Sequence, residues 1–207
     1  MTGYRIVNLA ALIEELGEDT AKGILSTFSC PLNPDVEYFL RQKAIDFATQ
    51  GWAQTHLVFA SYQKEWVLVG YFALASKHIT ISSKFLYKQS KTLKKRISKF
   101  ASFDSNLKAY ILSAPLIAQL GKNYLNGYDK LISGDELLRE ACAKIAKIQF
   151  ELGGRFAYVE CEDKLCLTSF YERNGFCNFD KRPLDADETE KLSGEYLVQM
   201  LKYIHHK

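Results

Sequence analysis

The 207-residue sequence lacks several features that would place it in a special class of protein. It has no apolar run close to the roughly 20 residues that a membrane-spanning helix needs, and its N-terminus lacks a secretory signal pattern. It also has no Pro-, Gly- or Ser-rich linker and no internal repeat. Because 47% of its residues are apolar, the chain can bury a substantial core. We therefore expect a single cytoplasmic domain that spans residues 1–207.

Cysteine is scarce, and its spacing excludes two kinds of site. The five cysteines are odd in number, and no two of them form a C-x-x-C pair. They are Cys30, Cys142, Cys161, Cys166 and Cys177. Neither a disulfide framework nor a zinc site is expected from this pattern. We predict reduced, mostly buried thiols and no bound metal.

Acidic residues are absent from the stretch 67–102, although the whole chain has a net charge of only +3. Eight basic residues give this stretch a charge of +8, which leaves the rest of the chain at −5. They are Lys77, Lys84, Lys88, Lys91, Lys94, Lys95, Arg96 and Lys99. Positive charge segregated in this way can attract a polyanion. The alternative is a charged helix face that is merely solvated.

The first half of the chain predicts a short strand, several helices and an antiparallel hairpin. The strand covers 4–8, and two helical stretches follow to about residue 26. Asn33-Pro34-Asp35 predicts a helix start, because it supplies a capping side chain, proline at the first helical position and an early acid. Gly51 ends this helix. The β-branched and aromatic runs 55–62 and 67–75 predict the hairpin.

The second half predicts a basic helix and an α/β crossover. The basic helix carries Leu93, Ile97 and Phe100 on its inner side, so its lysines face outward. The nearly continuous apolar run 110–120 predicts a strand that is buried on both faces. A helix from Ser133, a strand at 156–161, a helix at 165–173 and two closing strands at 176–180 and 196–204 follow. This order indicates an α/β fold with a parallel crossover between antiparallel ends.

The block Phe170-Tyr171-Glu172-Arg173-Asn174-Gly175-Phe176 lies between a predicted helix and a predicted strand. It resembles the last conserved motif, F-Y-x-x-x-G-F, of the GNAT N-acetyltransferase superfamily. Upstream, 117–122 and 134–138 are similar to that family's fourth strand and the helix after its phosphate loop. The resemblance covers about residues 105–180. It implies the GNAT fold, a mixed central sheet with splayed parallel strands flanked by helices.

The resemblance also implies acetyl-CoA as cosubstrate. A helix N-terminus at Ser133-Gly134 offers unpaired N–H groups and partial positive charge to a pyrophosphate. The free edge groups of Leu120 and Lys122 would pair with the pantetheine amides. The implied coenzyme-binding residues are Leu120, Gly121, Lys122, Asp129, Lys130, Ser133, Gly134 and Lys164.

The chain departs from the family pattern in the phosphate loop. The family's Q/R-x-x-G-x-G/A sequence would fall on Asp129, Ile132 and Gly134, so only the last glycine matches. The loop 123–134 is also longer than usual, and the asparagine often found seven residues before the motif's tyrosine is Lys164. Either a rearranged loop holds the phosphates or coenzyme binding is weakened.

Tyr171 is the candidate catalytic residue, although an aromatic residue at a helix end is usually part of the core. By the resemblance, its hydroxyl donates a proton to the departing coenzyme A thiolate. A phenol with a pKa of about 10 is protonated at neutral pH and suits a general acid.

A general base is harder to find. Glu160 and Glu162 share one face of their strand near its C-terminal end, but solvated or salt-bridged carboxylates are the alternative. None of the four histidines has an obvious catalytic place. His56 and His78 are expected at strand ends, and His205 and His206 in the tail.

A looser resemblance extends to the N-terminal half, whose residues are similar to the GNAT toxins of toxin–antitoxin pairs. Those enzymes acetylate the α-amine of aminoacyl-tRNA. The resemblance rests on Phe28-Ser29-Cys30, Val36, Phe39-Leu40, Ala44, Gly51, the run 55–60 and the run 69–74. An α-amine is about one-tenth deprotonated at pH 7, whereas a lysine amine is neutral only about four times in ten thousand. Such an acceptor therefore needs less help from a base.

This resemblance implies several partners. They are tRNA bound through the basic stretch 84–99 and an antitoxin, with a homodimer left open. The basic stretch could instead serve the coenzyme's phosphates. Trp52, Tyr62, Trp66 and Tyr87 could stack on bases, but we expect them to be buried. The alternative functions are acetylation of a small-molecule or protein amine, and a non-catalytic coenzyme-binding or interaction module with a degenerate phosphate loop.

Overall fold

The computed structural model describes residues 3–186, 188, 192 and 194–205. Its strands are β1 (Arg5–Asn8), β2 (Gln54–Tyr62), β3 (Glu65–Ser82), β4 (Ser102–Asp104), β5 (Ala109–Lys122), β6 (Phe156–Glu162), β7 (Cys177–Pro183) and β8 (Tyr196–Tyr203). Its α-helices are α1 (Leu9–Leu16), α2 (Glu18–Ser26), α3 (Pro34–Tyr38), α4 (Ala44–Thr49), α5 (Ser83–Tyr87), α6 (Lys91–Phe100), α7 (Gly134–Leu152) and α8 (Leu165–Arg173). A π-helical turn, Phe39–Lys43, joins α3 to α4, and a 3₁₀ segment, Leu125–Leu131, precedes α7.

The eight strands form one mixed sheet in the order β1-β2-β3-β5-β6-β8-β7, and β4 pairs with β5. The pair β5 and β6 is parallel, with Leu116 opposite Tyr158. The pairs β1–β2, β2–β3, β6–β8 and β7–β8 are antiparallel. The predicted mixed α/β class, with helices beside a mixed sheet, is confirmed.

The described chain falls into two compact units. The first includes the described part of residues 1–75 together with 117–141. Its hairpin of β2 and β3 turns at Gln63 and Lys64, both of which have positive φ. Its core lies among the first four helices and this hairpin. The core includes Leu9, Leu25, Phe28, Leu40, Leu57 and Tyr71.

The second unit includes residues 76–116 and the described part of 142–207. Here β6 pairs with β8, and β8 pairs with β7. A core forms among these strands, α6 and the segments of β3 and β5 that belong to this unit. It includes Ile81, Ile97, Leu112, Phe156, Tyr158 and Leu201. The expectation of one domain over 1–207 stays a prediction.

Local capping explains where the predicted helices begin. Asn33 Oδ1 accepts a hydrogen bond from the Val36 amide at 3.3 Å, with Pro34 at the first helical position as predicted. Ser90 Oγ caps α6 by accepting a 3.2 Å hydrogen bond from the amide of Leu93. These bonds satisfy N–H groups that have no partner inside their own helix.

Two further predictions can be compared with the structure. Strand β5 is not buried on both faces, because Ser113 and Ala118 are exposed and seven of its other residues are only partly buried. All five cysteines are free thiols, and three of them are buried. Within the described ranges no helix is both long and apolar enough to cross a membrane.

Candidate functional site

Tyr171 lies in the last turn of α8, and the chain folds back tightly behind it. Its carbonyl oxygen accepts hydrogen bonds from the amides of Asn174 and Phe176, both at 3.1 Å. Gly175 makes this reversal possible with a φ of 83°, a region that favours glycine. The rings of Phe170 and Phe176 pack edge-on against the phenol, at centroid distances of 5.0 and 5.6 Å. The F-Y-x-x-x-G-F block thus fixes the position of its own tyrosine.

The Tyr171 side chain is mostly buried, and its hydroxyl is held in its protonated form. Desolvation by burial raises its pKa above the usual 10, and the nearby Cys161 and Cys142 thiols raise it further. Among the described residues the hydroxyl makes no hydrogen bond that would hold its proton, and it is not one of the fully buried polar atoms that lack a partner. A phenol in this state can give a proton to a group that becomes basic during a reaction.

The end of β5 carries the predicted coenzyme-binding residues Leu120, Gly121 and Lys122. Leu120 is half-buried, while Gly121 is buried where its backbone passes very close to other chain. A Cβ added at Gly121 would lie only 2.3 Å from Val36 Cγ1 and 3.2 Å from the Tyr71 ring. The glycine is therefore explained by packing inside the first unit.

Lys122 stabilises the loop that follows it. Its Nζ donates a 2.9 Å hydrogen bond to the carbonyl oxygen of Asp129, and it lies 5.7 Å from the centroid of the Tyr124 ring. The 3₁₀ segment between these residues contains Asn126 and Gly127, both with positive φ. The Asp129 side chain is half-buried, Lys130 is exposed and Ile132 is almost completely buried.

Asn123 anchors the same loop, although it is not one of the predicted site residues. Its buried amide group donates to the carbonyls of Thr27 at 2.9 Å and Leu68 at 2.8 Å. Its Oδ1 accepts from the amides of Ser29 at 2.9 Å and Leu125 at 3.0 Å. All of the hydrogen-bonding positions of a primary amide are thus used. No local sequence signal announces this role, because most of the partners are distant in the chain.

The N-terminus of α7 begins at Gly134 as predicted, and it already holds an anion. The Ser133 amide and hydroxyl donate to Glu136 Oε2 at 2.9 and 2.8 Å, and Ser133 Oγ accepts from the Glu136 amide at 3.1 Å. This is a capping box. The hydrogen bonds from Ser133 lower the pKa of the Glu136 carboxyl. The helix terminus therefore binds negative charge, here from its own first turn.

The two candidate bases are both engaged in ion pairs. Glu160 Oε2 lies 2.7 Å from an Arg182 nitrogen, and Tyr158 donates a hydrogen bond to the same carboxylate. Burial opposes ionisation of Glu160, but the bonds from Arg182 and Tyr158 outweigh it and lower its pKa. Glu162 pairs with Lys164 at 2.9 Å. A carboxylate held by a cation is a weak base.

The histidines offer no better base. His56 is buried in β2, where its ring stacks on Phe72 with a centroid distance of 5.0 Å. His78 lies within β3 and not at a strand end, and His205 packs against Tyr203 at 4.9 Å. His206 lies outside the described residues.

The basic helix α6 has the predicted orientation. Ile97 is buried, with Leu93 and Phe100 packed against the same core, whereas Lys91, Lys95 and Lys99 are exposed. The expectation for the four aromatic residues was wrong, because all of them are exposed. The exposed fractions are 60% for Trp52, 41% for Tyr62, 52% for Trp66 and 82% for Tyr87. Within the described residues no cluster of three or more potential metal ligands occurs.

No protein-family model matches the chain, and no curated protein matches it. Solved structures do. AtaT complexed with acetyl-methionyl-tRNAfMet is 14% identical, with 95% of this chain and 94% of the other covered and a TM-score of 0.58. A mutant of KacT is 13% identical, covers 96% and 94%, and has a TM-score of 0.60. A mutant AtaT toxin bound to the C-terminus of the antitoxin AtaR and acetyl-CoA is 14% identical, covers 97% and 92%, and has a TM-score of 0.54. At these identities the likeness shows the fold that the chain shares with AtaT and KacT, which is the GNAT fold.

Proposed function

We propose that this protein is an acetyl-CoA-dependent N-acetyltransferase whose acceptor is the α-amine of aminoacyl-tRNA. Three observations support the proposal. The chain shares its fold with AtaT, which has been solved with acetyl-methionyl-tRNAfMet. It has a buried, protonated tyrosine in the F-Y-x-x-x-G-F block. It also presents a cationic helix. Such an enzyme would act in the cytoplasm, where both substrates are found.

The state of the Tyr171 hydroxyl carries the proposal. The rings of Phe170 and Phe176 hold the phenol in place, while its hydroxyl is not among the fully buried polar atoms that lack a partner. The hydroxyl makes no hydrogen bond among the described residues, so it can donate to a bound reactant, and burial of the side chain keeps its proton in place. We assign it the role of general acid.

The chemistry then requires little more from the protein. Acetyl-CoA supplies the acetyl group as a thioester. As the acceptor nitrogen bonds to the acetyl carbon, the C–S bond breaks and Tyr171 gives its proton to the departing sulfur. The nitrogen releases its extra proton to solvent, from which Tyr171 recovers its own. Electrons and protons balance without an added base.

The pairing of both candidate bases with cations favours an α-amine. Within the described residues, the carboxylates of Glu160 and Glu162 are both paired with cations. An enzyme acting on lysine would have to remove a proton from an amine with a pKa of about 10.4, whereas an α-amine near 7.8 is partly neutral already. The acceptor therefore matches the groups that this chain provides.

The N-terminus of α7 fits the phosphates of the coenzyme. The Glu136 carboxylate accepts from the Ser133 amide and hydroxyl, as a phosphate oxygen would, which supports this terminus as an anion site. A phosphate would take the place of that carboxylate, with Gly134 allowing close approach and Lys130 supplying charge. Leu120, Gly121, Lys122, Asp129 and Lys164 complete the proposed coenzyme-binding set.

The proposed partners are tRNA, through the stretch 84–99, and an antitoxin. A mutant AtaT toxin has been solved with the C-terminus of its antitoxin AtaR. We extend the same kind of partnership to this chain. A homodimer stays a prediction.

The test is incubation of the protein with aminoacyl-tRNA and labelled acetyl-CoA. We expect labelled N-acetyl-aminoacyl-tRNA. Matched reactions contain uncharged tRNA, a free amino acid or a lysine-rich protein as acceptor. If label appears in one of these acceptors but not in aminoacyl-tRNA, the proposed acceptor is wrong, and the protein acetylates another amine.

A second candidate is a non-catalytic coenzyme-binding or interaction module, which is favoured by a phosphate loop in which only Gly134 matches the family pattern. The two candidates separate by thermal unfolding and turnover. An enzyme should show a higher Tm with acetyl-CoA together with acetyl transfer. A Tm shift with no transfer to any amine would identify the module.

A further inference from the structure

One side of α6 carries four polar side chains that do not belong to the core. Thr92, Lys95, Arg96 and Lys99 are spaced by three and four residues, so they line the same side of the helix. The apolar side chains of Ile97 and its neighbours occupy an adjacent stripe. In the part of the chain that the structure describes, none of the three cations has a carboxylate within ion-pair distance. Their charge is available to a ligand.

Arg96 is also held in place before any ligand arrives. Its guanidinium lies 4.2 Å from the centre of the Tyr203 ring, which belongs to β8 of the same unit. The ring is fixed in turn by Phe156, whose centroid is 5.3 Å away. Stacking on an aromatic face leaves the N–H groups at the guanidinium edge free to donate. An arginine prepared in this way loses little conformational freedom on binding.

These side chains line a groove of about 230 Å³, whose other walls are Phe100 and Tyr203. Pockets for drug-sized ligands and cofactors usually measure about 300–1,000 Å³. The groove is therefore too small for a complete coenzyme. It is suited to one unit of a longer molecule that carries phosphate on a partly apolar frame.

We infer that this groove binds a phosphodiester of an RNA strand, with Arg96 as the central contact and Lys95, Lys99 and Thr92 around it. The inference rests on the proposed function, in which RNA carries the acceptor amine. An RNA strand is favoured over a free phosphate because Lys84, Lys88 and Lys91 add positive charge at and just before the start of α6. Residues outside 67–102 carry −5, so a polyanion is drawn to this surface and repelled from much of the rest.

The experiment measures the affinity of fluorescein-labelled, uncharged tRNA, without acetyl-CoA, between about 50 and 200 mM salt. The wild-type protein is compared with Arg96→Gln, Arg96→Lys and Lys88→Gln. The last is the matched control, since it removes one charge from the same basic stretch outside the groove. Each variant is first checked for an unchanged Tm. Affinity for acetyl-CoA is measured in parallel.

We expect Arg96→Gln to weaken tRNA binding roughly tenfold and to lower the salt slope by about one. Arg96→Lys should keep the salt slope and lose a few-fold in affinity, because lysine lacks the planar fork. Lys88→Gln should have less effect than either. If Arg96→Gln and Lys88→Gln behave alike, or if tRNA does not bind at low salt, the assignment is wrong. If Arg96→Gln loses affinity for acetyl-CoA and not for tRNA, the groove binds the coenzyme, and the RNA assignment is wrong.

These outcomes are separable from those of the proposed function. If tRNA binding depends on Arg96 but no acetyl group is transferred, the RNA-binding groove is supported and the acetyltransferase proposal is wrong. If aminoacyl-tRNA is acetylated but its binding does not depend on Arg96, the acetyltransferase proposal is supported and the assignment of the groove is wrong.

Discussion

The side-chain amide of Asn123 donates a 2.8 Å hydrogen bond to the backbone carbonyl of Leu68, which is 55 residues away in the chain. Three further bonds use the remaining positions of the same side chain. Asn123 comes directly after β5, at the start of the loop proposed to hold the coenzyme. A buried amide with all its bonds made fixes a backbone strongly, since removing the amide takes a hydrogen bond from four backbone groups at once.

Replacing Asn123 with Asp is therefore expected to destabilise the protein. A carboxylate accepts but does not donate, so the carbonyls of Thr27 and Leu68 would face a buried negative charge. We expect a loss of about 3 kcal/mol in the free energy of unfolding, measured with urea. Asn178→Asp on the exposed face of β7 is the control and should change stability by less than about 0.5 kcal/mol. Equal losses in the two variants would contradict the role of Asn123.

The second prediction concerns Gly121. A Cβ there would approach Val36 Cγ1 to 2.3 Å, so Gly121→Ala forces backbone or side chains of the first unit apart. We expect a destabilisation of about 1–3 kcal/mol. Gly23→Ala is the matched control, because no atom lies within 4 Å of its added Cβ and Gly23 is inside a helix. That change should stabilise by about 0.5–1 kcal/mol. If Gly121→Ala leaves the free energy of unfolding unchanged, the packing role of Gly121 is contradicted.

The sequence predicts some of these features and not others, for physical reasons. Asn33 and Pro34 predict a helix start because the capping bond joins Asn33 to Val36, three residues away, and so lies within a local sequence pattern. The role of Asn123 depends on Thr27 and Leu68, which only the folded chain brings near, so no local pattern contains it. Gly121 stays in the proposed coenzyme-binding set, and the structure adds a packing reason for it, against Val36 and Tyr71, that the sequence does not contain.

The exposed aromatics show a second limit of pattern reasoning. Trp66 belongs to a run of apolar residues and was expected to be buried with it. It lies one position into β3, opposite Ser61, close to the turn at Gln63 and Lys64. The strand beyond it enters the core, while the tip of the hairpin stays in solvent. The burial of an aromatic residue in a hairpin therefore depends on how far the hairpin extends past the core, which a local sequence pattern does not predict.

The third prediction tests the chemical role of Tyr171. Since its hydroxyl makes no hydrogen bond among the described residues, Tyr171→Phe should leave the Tm almost unchanged while kcat falls by about 100-fold. Tyr158→Phe is the contrasting variant. It removes bonds to Glu160 and Gln199 and should lower stability by about 1–3 kcal/mol. Because burial raises the pKa of Tyr171, we also expect no loss of its acid function up to about pH 9. Unchanged turnover in Tyr171→Phe would remove the assigned role.

The fourth prediction concerns the anion at the N-terminus of α7. Glu136→Gln keeps an oxygen that can accept from Ser133 but removes the charge that would repel a pyrophosphate. Acetyl-CoA should bind about two- to fivefold more tightly, as measured by titration calorimetry. Glu151→Gln makes the same charge change in the last turn of α7 and should leave the affinity unaltered. If Glu136→Gln binds the coenzyme no better than Glu151→Gln does, the phosphates do not sit at this terminus.

The last prediction follows from the Arg182 ion pairs. Arg182 lies 2.7 Å from both Glu160 and Glu188, and it lowers the pKa of each carboxyl below the usual 4.5. A lowered pKa means that this stabilisation is present above about pH 4.5 and is lost as the pH falls through the folded-state pKa. Arg182→Gln leaves the buried Glu160 without its cation, so burial then raises its pKa. The variant should be less stable than wild type by about 3 kcal/mol at pH 7, and the deficit should shrink toward pH 4 as the carboxyl gains a proton.

The matched control for this prediction is Lys181→Gln on the same strand. Lys181 pairs with Asp163, and both side chains are about half exposed. Water screens such a pair, so its removal should cost less than about 1 kcal/mol at either pH. Urea unfolding at pH 7 and pH 4 compares the variants directly. A deficit in Arg182→Gln that stays constant with pH would mean that lost packing of its side chain, and not an unpaired carboxylate, causes the destabilisation.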